Sequence, residues 1–132
     1  MSEGGCLCGA VRYRIADPPL SSAICHCTSC RRASGAPTVA WVTVDRKQFE
    51  ILSGKPAAFR SSPGVKRQFC GQCGSPLTYE NAQSPGSIDI TTASLDDPNG
   101  FPPSVEVWLE DKISWQPTDP NLRQCQGSSS RS

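Results

Sequence analysis

The sequence predicts a mainly β fold of short antiparallel strands, and three observations carry that prediction. Short runs rich in apolar and β-branched residues recur along the chain at close spacing. Eleven glycines and twelve prolines punctuate them, supplying chain reversals. No helical repeat of ordinary length appears.

The elements follow in order. Val11-Arg12-Tyr13-Arg14-Ile15 alternates apolar and basic, the period of a half-buried strand. Ala23-Ile24-Cys25 follows the turn at Asp17-Pro18-Pro19 and reads as a second strand. Cys27 to Ala33 can form one or two helical turns, stopped by Gly35 and Pro37. Val39 to Val44 is dense in β-formers and is the strongest strand signal. Phe49–Leu52 and Ala57–Arg60 flank Ser53-Gly54-Lys55-Pro56, which reads as a hairpin turn. Val65–Phe69, Leu77–Glu80, Ser87–Thr92 and Val105–Leu109 complete the series. The Ser-rich end, Gln126 to Ser132, reads as a disordered tail.

At 132 residues the chain is expected to be one domain. Hydrophobic residues make up 36%, a low share for a fold held by burial alone, so a bound metal is an attractive source of stability. The net charge of +1 shows no basic excess for a nucleic-acid surface and suggests no membrane or acidic partner. Met1 to Gly5 has neither the basic nor the apolar part of a signal peptide, and no apolar run is long enough to span a bilayer. The expectation is a cytoplasmic chain with reduced thiols.

Seven of the eight cysteines fall in close-spaced clusters: Cys6 and Cys8; Cys25, Cys27 and Cys30; Cys70 and Cys73. In a reducing compartment such clusters read as metal ligands rather than disulfides. A CxC on a strand points both sulfurs to one face. A CxxC in a tight turn converges two more, with Gly71 and Gly74 giving the backbone freedom. Tetrahedral zinc needs sulfurs roughly 3.7 Å apart, and pairs from distant segments can close that cage. Spacing alone leaves the partition open. The simplest assignment is a four-cysteine site from the two pairs and a three-cysteine site from the triplet. Four thiolates leave zinc with a net charge of −2, whereas three leave −1 and a free position. Arg31 and Arg32 follow the triplet and either offset that charge or form a solvated face.

These motifs are recognisable. Gly5-Cys6-Leu7-Cys8-Gly9-Ala10-Val11-Arg12-Tyr13 resembles the opening motif of the glutathione-dependent formaldehyde-activating enzymes, or centromere-protein-V-like domains. Cys25-His26-Cys27-Thr28-Ser29-Cys30-Arg31-Arg32, followed by Gly35-Ala36, resembles the second motif. Phe69-Cys70-Gly71-Gln72-Cys73-Gly74-Ser75-Pro76-Leu77 resembles the third, and Trp108 to Trp115 the late part. The resemblance implies a β-tent zinc-binding domain over residues 1–117, with 118–132 as a tail. It implies a structural zinc on Cys6, Cys8, Cys70 and Cys73, and a catalytic zinc on Cys25, Cys27 and Cys30. The implied activity is a carbon–sulfur lyase, joining a small thiol such as glutathione to formaldehyde or a related aldehyde. No glutathione contact and no oligomeric state follows from it.

His26 is the only histidine. Between two ligands on a strand it points away from them, toward packing or, in the sharper reading, a proton shuttle. Cys125 stands outside the clusters and reads as a free thiol. Trp41, Trp108 and Trp115 read as core. Asp96 to Gly100 reads as a turn, and Phe101-Pro102-Pro103 as loop. Two competing functions stay open: a non-enzymatic zinc-binding interaction or chaperone-like β-tent domain, and a thiol redox or zinc-storage protein.

Overall fold

The computed structural model describes residues 1–129. Its strands are β1 (Ser2–Gly5), β2 (Arg12–Ile15), β3 (Ser21–Cys25), β4 (Val39–Asp45), β5 (Phe49–Ser53), β6 (Ala57–Ser62), β7 (Val65–Phe69), β8 (Pro76–Asn81), β9 (Ser87–Thr91), β10 (Val105–Val107) and β11 (Arg123–Gln124). One short helix, α1 (Thr28–Ser34), follows β3. The architecture is mainly β, as expected. A three-stranded sheet runs β1-β2-β5, and an eight-stranded sheet runs β11-β10-β3-β4-β9-β8-β7-β6. The pairings are antiparallel except at β10, which lies parallel to both β3 and β11.

Period-two alternation divides the large sheet into two faces. Val42 and Val44 of β4 and Ile88 and Ile90 of β9 point to one side and are buried at 2% exposure or less. Tyr13 and Ile15 of the small sheet meet them there, with Leu77, forming the main core. Burying each such side chain is worth about 1.5–3 kcal/mol relative to leaving it exposed. The opposite face carries Trp41 and Thr43 of β4 and Asp89 of β9, and it walls a cavity. A smaller core near β3 and β10 joins Cys25, Cys30, Val39, Val105, Val107 and Cys125.

The expected hairpin at Ser53–Pro56 does not form. β5 pairs with β2, and β6 pairs with β7, so this turn passes from one sheet to the other. Gly54 makes the passage with φ +80°, and a Cβ there would collide with the Ala10 carbonyl oxygen. Both strand signals were local, while the choice of partners was not. α1 ends as expected at Gly35, whose left-handed backbone (φ +68°) lets its N–H reach the Arg31 carbonyl at 2.7 Å.

The C-terminal segment is built into the fold well past residue 118. Arg123–Gln124 adds the outer strand beside β10, and Cys125 is fully buried. Further on, the Trp108 N–H donates to the Gly127 carbonyl at 2.8 Å. The remainder of the expected disordered tail, residues 130–132, lies outside the described residues. Trp115, expected in the core, is 69% exposed, whereas Trp41 is buried. Among the described residues no helix is long and apolar enough to cross a membrane.

Candidate metal centres and the cavity between them

The fold gathers the clustered cysteines into two groups. Cys6, Cys8, Cys70 and Cys73 place their sulfurs within 4.8 Å of one another, and Cys25, Cys27 and Cys30 do the same. This is the partition that spacing suggested.

The first group sits on two loops. Cys6 and Cys8 lie in the turn between β1 and β2, not on a strand as the CxC pattern suggested. The Cys6 N–H donates to the Val11 carbonyl, and the Gly9 N–H to the Cys6 carbonyl, both at 3.1 Å. Cys70 and Cys73 lie in the β7–β8 loop, closed by the Gly74 N–H on the Cys70 carbonyl at 2.8 Å. Of the two glycines expected to ease that loop, Gly74 is left-handed (φ +80°) and Gly71 is not. Cys8 Sγ lies 3.7 Å from both Cys6 Sγ and Cys70 Sγ. That is the sulfur spacing of a tetrahedral zinc cage. Backbone N–H groups aim at the sulfurs: Val11 at Cys6 (3.2 Å), and Gln72 and Cys73 at Cys70 (3.4 and 3.5 Å). Such donors stabilise thiolates over thiols. The Ser75 hydroxyl, 3.2 Å from Cys73 Sγ, helps hold that thiol down to about 5. The donor set fits a structural metal.

The triplet spans the end of β3 and the start of α1. Cys25 and Cys30 are buried, with Sγ atoms 3.7 Å apart, while Cys27 is partly exposed. Contact with its neighbours pulls Cys27 down, because it accepts from Cys25 and Cys30. The same contact pushes Cys25 up, and burial adds to the push. Holding all three as thiolates, as metal ligation requires, would concentrate negative charge that calls for a cation. Three soft donors at this spacing, with one side open, fit a metal with a free coordination position.

The protein's own cation at the triplet is Arg67 of β7. Both terminal nitrogens of its guanidinium lie 3.7 Å from Cys30 Sγ, and its Nε donates to Ser61 Oγ at 3.2 Å. The guanidinium lies over the Tyr79 ring, 4.9 Å from the centroid. Neither arginine next to the triplet takes this role. Arg31 reaches back to Thr28 Oγ1 at 3.3 Å, and Arg32 is exposed.

The triplet opens on a cavity of about 390 Å³. Strand register explains its wall. Ser21, Thr43, Asp89, Tyr79 and Arg67 pair in turn across β3, β4, β9, β8 and β7, and all five line the cavity. Asp89 accepts from Thr43 Oγ1 at 2.6 Å, and burial pushes its carboxyl above the usual range. Trp41 lies beside Tyr79, ring centroids 6.0 Å apart, beneath the triplet. The sequence reading missed this row, because it is assembled from five strands. The period-two pattern of β4 and β9 was its one local trace.

His26 stands apart from the cavity. It is fully buried, and its Nε2 is 2.7 Å from Glu106 Oε1 on β10. Glu106 Oε2 in turn accepts from the Asp119 N–H at 2.7 Å. The pair therefore ties the strand end carrying the triplet to the C-terminal segment, and a shuttle role finds no support. Cys125 shares the small core with Cys25 and Cys30 without joining the sulfur cluster. Phe101 packs in the main core, while Asp96 leaves its turn to pair with Arg12 at 2.6 Å.

Comparison with known proteins agrees with this geometry. The family model described as glutathione-dependent formaldehyde-activating enzyme matches residues 1–111. A Halomonas elongata relative, provisionally named as such an enzyme, is 29% identical over 123 residues, covering 86% of this chain and 78% of its own. A crystal structure of a Rhodobacter sphaeroides protein superposes with a TM-score of 0.61 at 22% identity, covering 71% of this chain and 87% of that one. That likeness shows the fold.

Proposed function

The chain belongs to the glutathione-dependent formaldehyde-activating enzyme family, and from that premise we propose that it is a zinc-dependent carbon–sulfur lyase. In this reading it condenses a thiol, glutathione or a similar one, with formaldehyde or a related small aldehyde. The two sheets form the family's β-tent. Cys6, Cys8, Cys70 and Cys73 hold a structural zinc, and Cys25, Cys27 and Cys30 hold the catalytic one. The observation that carries the reading is the triplet's position: three converging sulfurs, one partly exposed, open onto a cavity large enough for a small organic ligand.

Zinc with three thiolate ligands and an open position lowers the pKa of an incoming thiol and polarises a carbonyl. The protein's residues supply the rest. Arg67 offsets the negative charge of the triplet and fixes Cys30. Trp41 and Tyr79, their rings tilted at 55° to each other, give the cavity an apolar aromatic wall beside the triplet. Thr43, Asn81 and Asp89 present polar groups to the body of the thiol, away from its sulfur. In the reaction the sulfur lone pair forms the new C–S bond. The carbonyl π pair moves to oxygen, and the thiol proton ends there, so no oxidant is needed.

A closed interaction module has no use for a cavity beside three thiols, which favours the enzyme over the binding domain. The test is the rate of exchange between free formaldehyde and its glutathione adduct, followed by NMR with labelled formaldehyde. The zinc-loaded chain should accelerate exchange, and Cys27→Ser should abolish the acceleration while the four-cysteine zinc remains. Acceleration that survives loss of the triplet metal would sink the proposal.

A further inference from the structure

A second cavity, of about 400 Å³, meets the first at Cys30, Trp41 and Arg67. It is bounded by α1 on one side and by β6, β7 and β8 on the other. Its chemistry differs from that of the first. Ala33, Val39, Phe59, Phe69 and Pro76 form an apolar wall. The hydroxyls in it are already satisfied within the protein: Ser34 donates to the Cys30 carbonyl at 2.8 Å, Thr78 to Gln68 Oε1 at 2.9 Å, and Thr91 to the Pro76 carbonyl at 2.9 Å. With its hydroxyls satisfied, the groove keeps the Gln68 amide and Arg67 as polar groups, so away from them it has little to offer water and favours hydrocarbon. Phe59, on edge strand β6, is 63% exposed, an aromatic ring that core packing does not require.

Joining two molecules requires two subsites that meet at the reacting atoms. Here a mixed cavity, whose wall carries Ser21, Thr43, Asn81 and Asp89, meets a more apolar groove at Cys30. The cavity with the polar groups suits the thiol. Formaldehyde is scarcely larger than a water molecule, whose share of liquid volume is about 30 Å³. It would leave the groove almost empty.

We propose that the apolar groove is a subsite for the hydrocarbon part of the carbonyl substrate, so that this chain condenses thiols with aliphatic aldehydes longer than formaldehyde; this rests on the lyase reading of the triplet. The product is a thiohemiacetal: one C–S bond forms, the carbonyl π bond breaks, and the thiol proton moves to oxygen. The wall of Phe59, Phe69 and Pro76 holds the chain and leaves the carbonyl beside Cys30 and Arg67.

Straight-chain primary alcohols from ethanol to hexanol test the groove without turnover, because they cannot be condensed. Their binding to the zinc-loaded chain is read by amide shifts in NMR. Affinity should rise about fourfold per methylene until the groove is full, with shifts centred on Ala33, Val39 and Phe69. Ala33 is exposed on α1, so Ala33→Trp can fill the groove without disturbing the core, and it should flatten the series. Phe59→Ser, at another exposed position, should weaken hexanol binding as a second check. In turnover, Ala33→Trp should lower the ratio of hexanal to formaldehyde kcat/KM about tenfold or more.

A flat alcohol series, or a rise undiminished in both variants, overturns the groove assignment. If formaldehyde is condensed while the series is flat, the groove assignment falls alone. If alcohols bind as expected but no thiol–aldehyde pair is condensed, the lyase reading falls, and the carbonyl assignment falls with it.

Discussion

Replacing Arg67 with methionine should weaken metal binding at the triplet and leave the four-cysteine site unchanged. Among the described residues, Arg67 is the only cation lining either cavity, and its two terminal nitrogens sit 3.7 Å from Cys30 Sγ. At that distance a unit charge pair in an effective dielectric of about 20 is worth about 4.5 kcal/mol. Arg67 is partly exposed, so solvent screens the pair, and charge-assisted hydrogen bonds measured by mutation are worth about 1.5–3 kcal/mol. The smaller range is the better guide and corresponds to about a 10- to 150-fold weaker affinity. Methionine keeps much of the side-chain volume, so the loss reports charge rather than a void. Arg67→Lys should fall between, retaining the charge but losing the fork on Cys30 and the stack on Tyr79. The assay is zinc competition with a chromophoric chelator, which resolves two sites in one titration. A triplet affinity that moves less than about twofold, or an equal shift at both sites, would refute the electrostatic role.

Gly54→Ala should destabilise the fold by about 1–3 kcal/mol, because it forces a left-handed residue against the Ala10 carbonyl at the passage between sheets; urea denaturation measures this. Glu106→Ala should cost about 2–4 kcal/mol in the same assay, because it leaves His26 buried without its partner and frees the Asp119 N–H. Burial raises the Tyr13 phenol from 10.0 to about 12. The sign is that of a raised folded-state value: Tyr13 contributes stability in full below about pH 10 and loses it as pH climbs toward 12. Alkaline titration at the phenolate absorbance band should show Tyr13 still un-ionised at about pH 11 in the folded chain.

Local features were legible in the sequence, and assembled ones were not. The cysteine clusters could be read because each pair or triplet lies within a few residues, and the fold joins them as the simplest partition suggests. β4 could be read because its β-formers are consecutive, and α1 because Gly35 marks its end. The turn at Gly54 misled because a strand–turn–strand pattern does not say which strand pairs with which. Trp115 misled because its size suggests burial, yet it sits on the exposed connection between β10 and β11. The sequence left the triplet's neighbours Arg31 and Arg32 as either a counter-charge or a solvated face, whereas the cation at Cys30 comes from β7, 37 residues beyond it. The row from Ser21 to Arg67 needs five strands in register, and no single window contains that information.

The most direct measurement is zinc per chain and thiol–aldehyde exchange rate, taken on the same samples through a titration with a mild chelator. The account predicts two zincs at the start. The first zinc to leave takes the exchange activity with it, while the fold survives on the second, held by Cys6, Cys8, Cys70 and Cys73. Activity that persists after the labile zinc has gone, or a fully loaded two-zinc chain that never accelerates exchange, would contradict it.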